Sequence, residues 1–245
     1  MLMLLKIIIR YMAILMLFSA SLVTAEPRNY PKQIHLVYDV VRNGQPFATV
    51  TEDYKQVADQ YHIVSNTKGL GVYALLGERK LTSDGVVTST GLKPKHFELR
   101  QGDNAKKWLS TEFDWASNTL NMTIKGAVQA VPLMANSQDL VSYLYQFMFE
   151  PFSKNNQETL LVNVTTGKKL KPYAFNITER DQPLNTPAGD FKTTQLTSVK
   201  DAESKASDER QIWLANEQYH LPVKLIIHDD NGGEFVQTLK TIQID

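Results

Sequence analysis

The 245-residue sequence predicts a mainly β protein: a curved antiparallel sheet or partly open β-barrel, with one apolar α-helix packed on or in it. Three observations predict this class. Apolar and polar residues alternate along most of the chain. Turn-forming clusters recur at short intervals. The alternation breaks once, in a segment whose apolar residues fall at helical spacing instead. No stretch of 20 to 50 residues repeats, which argues against a propeller or a solenoid.

Residues 1–25 read as a cleaved signal peptide rather than as part of the fold. Lys6 and Arg10 supply a positive start, Tyr11 to Leu22 an apolar stretch, and "VTA" the small residues that signal peptidase reads, with cleavage between Ala25 and Glu26. The competing reading is an uncleaved N-terminal anchor. The uncharged run from Tyr11 to Ala25 is shorter than the ~20 residues a bilayer needs. Cleavage leaves a single β-rich domain, residues 26–245, placed in the periplasm and without a membrane span. Of 26 basic residues, Lys6 and Arg10 are lost with the signal, so 24 face 26 acidic ones, a net charge of −2. A near-neutral surface lacks the basic footprint of a nucleic-acid binder. With no cysteine there are no disulfides, no thiolate nucleophile and no lipid attached through cysteine, so the core alone must hold an exported domain.

In chain order, "IHLVYDVV" sets Ile34, Leu36, Tyr38 and Val40 on one face and His35 and Asp39 on the other. "WLSTEFDW" sets Leu109, Thr111, Phe113 and Trp115 against Trp108, Ser110, Glu112 and Asp114, and Leu120, Met122 and Ile124 follow after the turn "ASN". One polar side chain for each apolar one is what a sheet with one wet face requires. The clusters "RNGQ", "SDG", "TTGK", "TPAGD" and "DDNGG" mark turns. In the last of these, Asn231, Gly232 and Gly233 suit positive φ, and Asp229 and Asp230 suit hydrogen bonds to local backbone. "LPVKLIIH" then points Val223, Leu225 and Ile227 inward, and the return strand points Phe235 and Leu239 at the sheet. The charged stretch Lys200 to Arg210 reads as an exposed, mobile loop.

The exception is "NSQDLVSYLYQFMFEPF", Asn136 to Phe152. Asn136 or Ser137 suits an N-cap, Asp139 the first turn, and Pro151 a stop. Leu140, Tyr143, Leu144, Phe147 and Met148 share one face, and Val141, Tyr145 and Phe149 make the rest apolar too. Such a helix is covered by protein on most sides. Two readings stay open: a core helix on a curved sheet, or a plug over an apolar cavity lined by Tyr143, Leu144, Phe147 and Met148.

Motifs for catalysis are missing. His35, His62, His96, His220 and His228 form no HxH, HxxH or HExxH pair, so no metal is expected. There is no G-x-S-x-G elbow, and "GLGVYALLGE" lacks the rest of either nucleotide fingerprint, so no cofactor is expected. Glu112 and Asp114 share a strand face, as acids on any wet strand do. The sequons at Asn121, Asn163 and Asn176 read as ordinary strand residues. The expectation is a protein that is not an enzyme.

"IWLANEQYHLPVKLIIHDDNGG" resembles the closing signature of the bacterial envelope family catalogued as domain of unknown function 3108: a tryptophan strand (Trp213, Leu214), a "lPv" turn (Tyr219 to Val223) and an acidic–glycine hairpin (Asp229 to Gly233). "YDVVRNGQPFATV", "STGLKPKHFELR", "QDLVSYLYQF" and "NTPAGDFKTTQL" resemble further pieces of it in order. The resemblance implies an exported protein rich in antiparallel strands, and no activity. Two functions fit. One is binding or carrying an apolar small molecule such as a lipid, because a long sheet that curls around an incompletely filled interior holds ligand. The other is an envelope interaction module for protein or glycan, anchored by exposed aromatics such as Trp108 or Tyr73.

Overall fold

Alternation becomes strand wherever the inward residues can share one core. The computed structural model describes residues 30–103, 105–150, 152, 159–200 and 209–245. The signal-peptide stretch, Pro151 and most of the 200–210 loop lie outside them. Among the described residues the strands are β1 (Gln33–Arg42), β2 (Gln45–Val57), β3 (Gln60–Gly69), β4 (Arg79–Thr88), β5 (Gly91–Gln101), β6 (Leu109–Asp114), β7 (Thr119–Ile124), β8 (Ala127–Pro132) and β9 (Ser137–Asp139). Helix α1 (Ser142–Gln146) follows, continued by a 3-10 turn over Phe147–Phe149. Then come β10 (Thr159–Thr165), β11 (Leu170–Thr186), β12 (Gly189–Ser198), β13 (Arg210–Ala215), β14 (Leu221–His228) and β15 (Glu234–Ile244). No helix among the described residues is long and apolar enough to cross a membrane.

These strands form one sheet, ordered β8-β7-β6-β5-β4-β3-β2-β1-β15-β14-β13-β12-β11-β10-β9. Two meanders, β1 to β8 and β10 to β15, are joined by antiparallel pairing of β1 with β15, from Ile34 opposite Ile244 to Arg42 opposite Phe235, and β9 adds to β10 in parallel. The sheet does not close. Its two edges are β8 and β9, and β9 turns inward: Gln138 Nε2 donates to the Leu92 carbonyl on β5 at 2.8 Å. The inward phase of the strands makes a continuous core that includes Leu36, Tyr38, Ile63, Phe97, Leu120, Phe175, Leu196, Ile212, Leu214 and Leu225.

Of the predicted inward residues, Ile34, Leu36, Tyr38 and Val40 are buried, as are Val223, Leu225 and Leu239, whereas Ile227 and Phe235 are half-buried. The β1–β2 hairpin turns on Asn43 and Gly44, both at positive φ, as a tight two-residue turn requires. In "DDNGG" only Gly232 has positive φ. Asp229 Oδ1 accepts from the amides of Asn231 at 2.9 Å and Gly233 at 2.8 Å. "SDG" is not a turn. Ser83 to Gly85 run inside β4, where the register with β5 slips between Asp84 and Gly85. A Cβ at Gly85 would sit 2.4 Å from the Lys93 carbonyl and 2.8 Å from the Tyr61 ring, so this glycine serves a bulge and a close approach.

The helix is shorter than predicted and starts later. Asn136 adopts φ +55°, and Ser137 to Asp139 pair in parallel with Asn163 to Thr165 of β10. That pairing satisfies backbone groups that a helix from Asn136 would have used. Helical geometry begins beyond Asp139, whose Oδ1 accepts from the amides of Val141 and Ser142, both at 2.9 Å. Ser142 Oγ accepts in return from the Asp139 amide at 2.9 Å, the reciprocal pattern of a capping box. The expectation that this element is apolar and enclosed holds, with Ser142, Tyr143, Leu144 and Tyr145 all buried.

Candidate functional site

Strand direction gives the rolled sheet two ends. At one end lie the turns at 58–59, 89–90 and 115–118, and α1 closes it: Gln146 Nε2 donates to the Thr90 carbonyl at 3.0 Å, and Gln146 Oε1 accepts from the Leu92 amide at 2.8 Å. At the other end lie the turns at 43–44, 70–78, 166–169 and 229–233. Between that rim and the helix the interior is incompletely filled. A cavity of about 610 Å³ is walled by Val40, Phe47, Val50, Leu81, Leu225, Ile227 and Phe235, with Tyr143 and Leu144 of α1 as its base. A second cavity, of about 710 Å³, adjoins it between β4, β5, β6 and β7, lined by Leu76, Leu99, Leu109 and Ile124. Both touch Arg79, Leu140 and Thr166. Volumes of this size are those of small-molecule sites.

Of the four residues predicted to line a cavity, the structure brings Tyr143 and Leu144 to one. Phe147 and Met148 are placed differently. Phe147 packs edge-on against Phe175 at 6.1 Å and close to Phe152 at 6.3 Å between ring centroids, and Met148 is buried in the core. Phe147 also meets Tyr143 edge-on, with ring centroids 6.2 Å apart, so it backs the cavity's base rather than lining it.

Three charged residues reach the cavity that sequence reasoning did not single out: Glu52, Arg79 and Arg210. Each occupies the inward phase of its strand. Glu52 is in step with Ala48, Val50 and Tyr54; Arg79 with Leu81; and Arg210 with Ile212 and Leu214. A charge in an otherwise apolar phase was the available signal.

Glu52 is buried, with Oε1 accepting from Ser65 Oγ at 3.1 Å and Oε2 from the Tyr145 hydroxyl at 3.3 Å. Burial outweighs these two bonds and pushes its carboxyl up to about 7, with the nearby charge of Asp53 adding to the rise. Arg210 was expected within an exposed loop. It is instead buried at the start of β13, because its guanidinium lies 4.7 Å from the Tyr173 ring centroid and 5.5 Å from that of Tyr143. It also donates to the Tyr143 hydroxyl at 3.1 Å. Asp229, at the rim, pairs with Arg42 at 2.8 Å. A second buried acid, Asp139, lies at the helix start and accepts from Ser83 Oγ at 2.5 Å. Burial raises its pKa against the hydrogen bonds from Ser142, Ser83 and Val141.

Of the histidines, His228 lines the cavity beside Asp229, although the strand phase set it on the other face from Ile227. His35, His62 and His96 lie on the outer face, each opposite an acid on the next strand: Asp53 at 2.7 Å, Asp84 at 2.6 Å and Glu112 at 2.5 Å. Among the described residues no group of three or more His, Asp or Glu is placed to hold a metal ion. What the interior can do chemically is enclose an apolar body while presenting fixed polar groups along its wall.

The family model described as "Protein of unknown function (DUF3108)" matches residues 33–240. The chain belongs to this family. Among solved structures, the chain is similar to the β-barrel-like protein of domain of unknown function DUF1849 from Brucella abortus, at 8% identity and a TM-score of 0.57. That match covers 88% of this chain and 99% of the Brucella chain. At that identity the likeness concerns the fold, which the DUF3108 chain shares as a rolled, β-barrel-like sheet. No curated protein matches the sequence.

Proposed function

We propose that this DUF3108 chain is an exported, periplasmic protein that binds or carries an apolar ligand such as a lipid, without converting it. The observation that carries this reading is the cavity of about 610 Å³ between the inner face of the sheet and α1, walled mainly by apolar side chains. A sheet this long must curl, and its interior is wider than one short helix fills. Polar side chains, among them Glu52, Arg79, Arg210 and Asp229, interrupt the apolar wall at fixed points, which suits fixing the orientation of a molecule held mainly by apolar contact.

Native mass spectrometry tests the reading. The protein is purified without detergent from a periplasm, as residues 26–245 if the signal is cleaved as expected. An added mass that organic extraction removes, and that identifies as a lipid, is the expected result. A bare mass after purification, together with no uptake of lipid from vesicles, would overturn it. The alternative is then an envelope interaction module. Its favouring observation is the apolar rim turn Gly71–Leu76, where Leu75 is 90% and Val72 75% exposed. Of the aromatics expected to anchor such a surface, Trp108 is exposed, whereas Tyr73 packs on Phe47 with ring centroids 4.6 Å apart.

A further inference from the structure

Arg79 is the cation that both cavities share. It lies on the inward phase of β4, in step with Leu81 and Ser83, and its cross-strand neighbours Thr67 on β3 and Gln101 on β5 are uncharged. Among the described residues no carboxylate pairs with it and no acceptor engages it. Desolvation lowers its pKa from the ordinary arginine value. The two acids of the neighbouring cavity are otherwise engaged: Asp229 with Arg42 and its own turn, Glu52 with Ser65 and Tyr145. The second cavity is lined by Lys107, Lys125 and Lys168, and by no acid. A half-buried guanidinium without a counter-ion is a costly arrangement, and an anion bound beside it relieves that cost.

We propose that Arg79 receives the head of an anionic amphiphile, a carboxylate or phosphate monoester, whose chain lies in the apolar cavity beside Leu81, Val50, Leu225 and Leu144. This rests on the apolar-ligand reading and narrows it to one ligand class. The planar guanidinium offers two parallel donors, which match the paired oxygens of a carboxylate or phosphate. Lys107, Lys125 and Lys168 add a positive field at the rim, which holds the anionic head there beside Arg79 while the chain points inward. A free anion would satisfy Arg79 but leave the apolar walls wet. A neutral lipid would fill the walls but leave Arg79 without a partner. An amphiphile does both.

Calorimetric titration of the delipidated protein separates these cases, using dodecanoate, dodecyl phosphate, dodecanol and inorganic phosphate below their aggregation limits. The expected result is that dodecanoate and dodecyl phosphate bind about tenfold or more tightly than dodecanol, the size of one charge-assisted contact. In Arg79→Gln that ratio falls to near one because the anionic probes lose their contact, and in Arg79→Lys most of the ratio is kept. Unchanged discrimination in Arg79→Gln, or equal binding of dodecanol and dodecanoate by the native protein, overturns the head-group site and leaves the apolar-ligand reading standing. Inorganic phosphate bound as tightly as dodecyl phosphate assigns Arg79 to free anions and overturns the amphiphile. Failure of all three chain-bearing probes overturns the carrier reading itself.

Discussion

Glu52 shows how one inward side chain links sequence phase, stability and the cavity. Its carboxyl titrates near 4.5 in the unfolded chain and near 7 in the folded one. Below 4.5 both states hold the proton and no difference arises. Between 4.5 and 7 the folded state holds the extra proton, so stability falls as pH rises, and the loss is complete above the folded pKa. A shift of this size corresponds to an order of magnitude of about 3 kcal/mol. Glu52→Gln keeps an oxygen acceptor for one of the two hydroxyls, offers an NH2 donor to the other, and cannot ionise. Urea unfolding at pH 5 and pH 8 is expected to show a smaller loss of stability for this variant than for the native chain, and a more stable variant at pH 8. Equal pH dependence in both proteins would remove Glu52 as the source. The alternation in "FATVTEDY" already put Glu52 in step with Val50 and Tyr54, so its inward position was legible. Its partners were not, since Tyr145 lies 93 residues away and no local pattern brings the two together.

At the scale of elements, α1 is held at its start more firmly than its five residues would suggest. An isolated helix this short is unstable in water, so packing and capping must hold it. Asp139 accepts from the amides of Val141 and Ser142 and from Ser83 of β4, which fastens the helix start to the sheet as well as capping it. Asp139→Ala leaves two amides and one hydroxyl buried without that acceptor, and is expected to cost about 3 kcal/mol or more in chemical denaturation. Ser142→Ala removes the reciprocal bond and should cost about 1 kcal/mol. Because the two side chains share one arrangement, the double variant should cost clearly less than the sum. Strict additivity would show that the capping box does not act as a unit. Helical spacing of Tyr143, Leu144 and Phe147 revealed that an enclosed helical element existed. Its length was not legible, because whether Ser137 to Asp139 enter a strand depends on the distant edge of β10, and helical periodicity carries no trace of that.

For the whole molecule, the sequence pattern is rich in information about neighbours and poor in information about closure. Hairpins pair adjacent segments, so the order within β1 to β8 and within β10 to β15 follows from turns such as Asn43–Gly44. The pairing of β1 with β15 joins residues at opposite ends of the described chain, and nothing local in "IHLVYDVV" or "EFVQTLKTIQI" specifies it. Nor does alternation say whether a long sheet closes or rolls past itself, and the cavities depend on that outcome. The same asymmetry predicts an order of folding. Local hairpins form at little loop-closure cost, whereas the β1–β15 seam closes a loop of nearly the full described length. The seam should therefore form after the main barrier. Leu239 on β15 sits opposite Tyr38 on β1 and is fully buried, so Leu239→Ala should destabilise by about 2–5 kcal/mol. Stopped-flow measurements should show that loss mainly as faster unfolding, with refolding little changed. Ile63→Ala, buried in the local meander on β3, should slow refolding instead. Slower refolding for Leu239→Ala, with unfolding unchanged, would place the seam in the nucleus and reverse the proposed order.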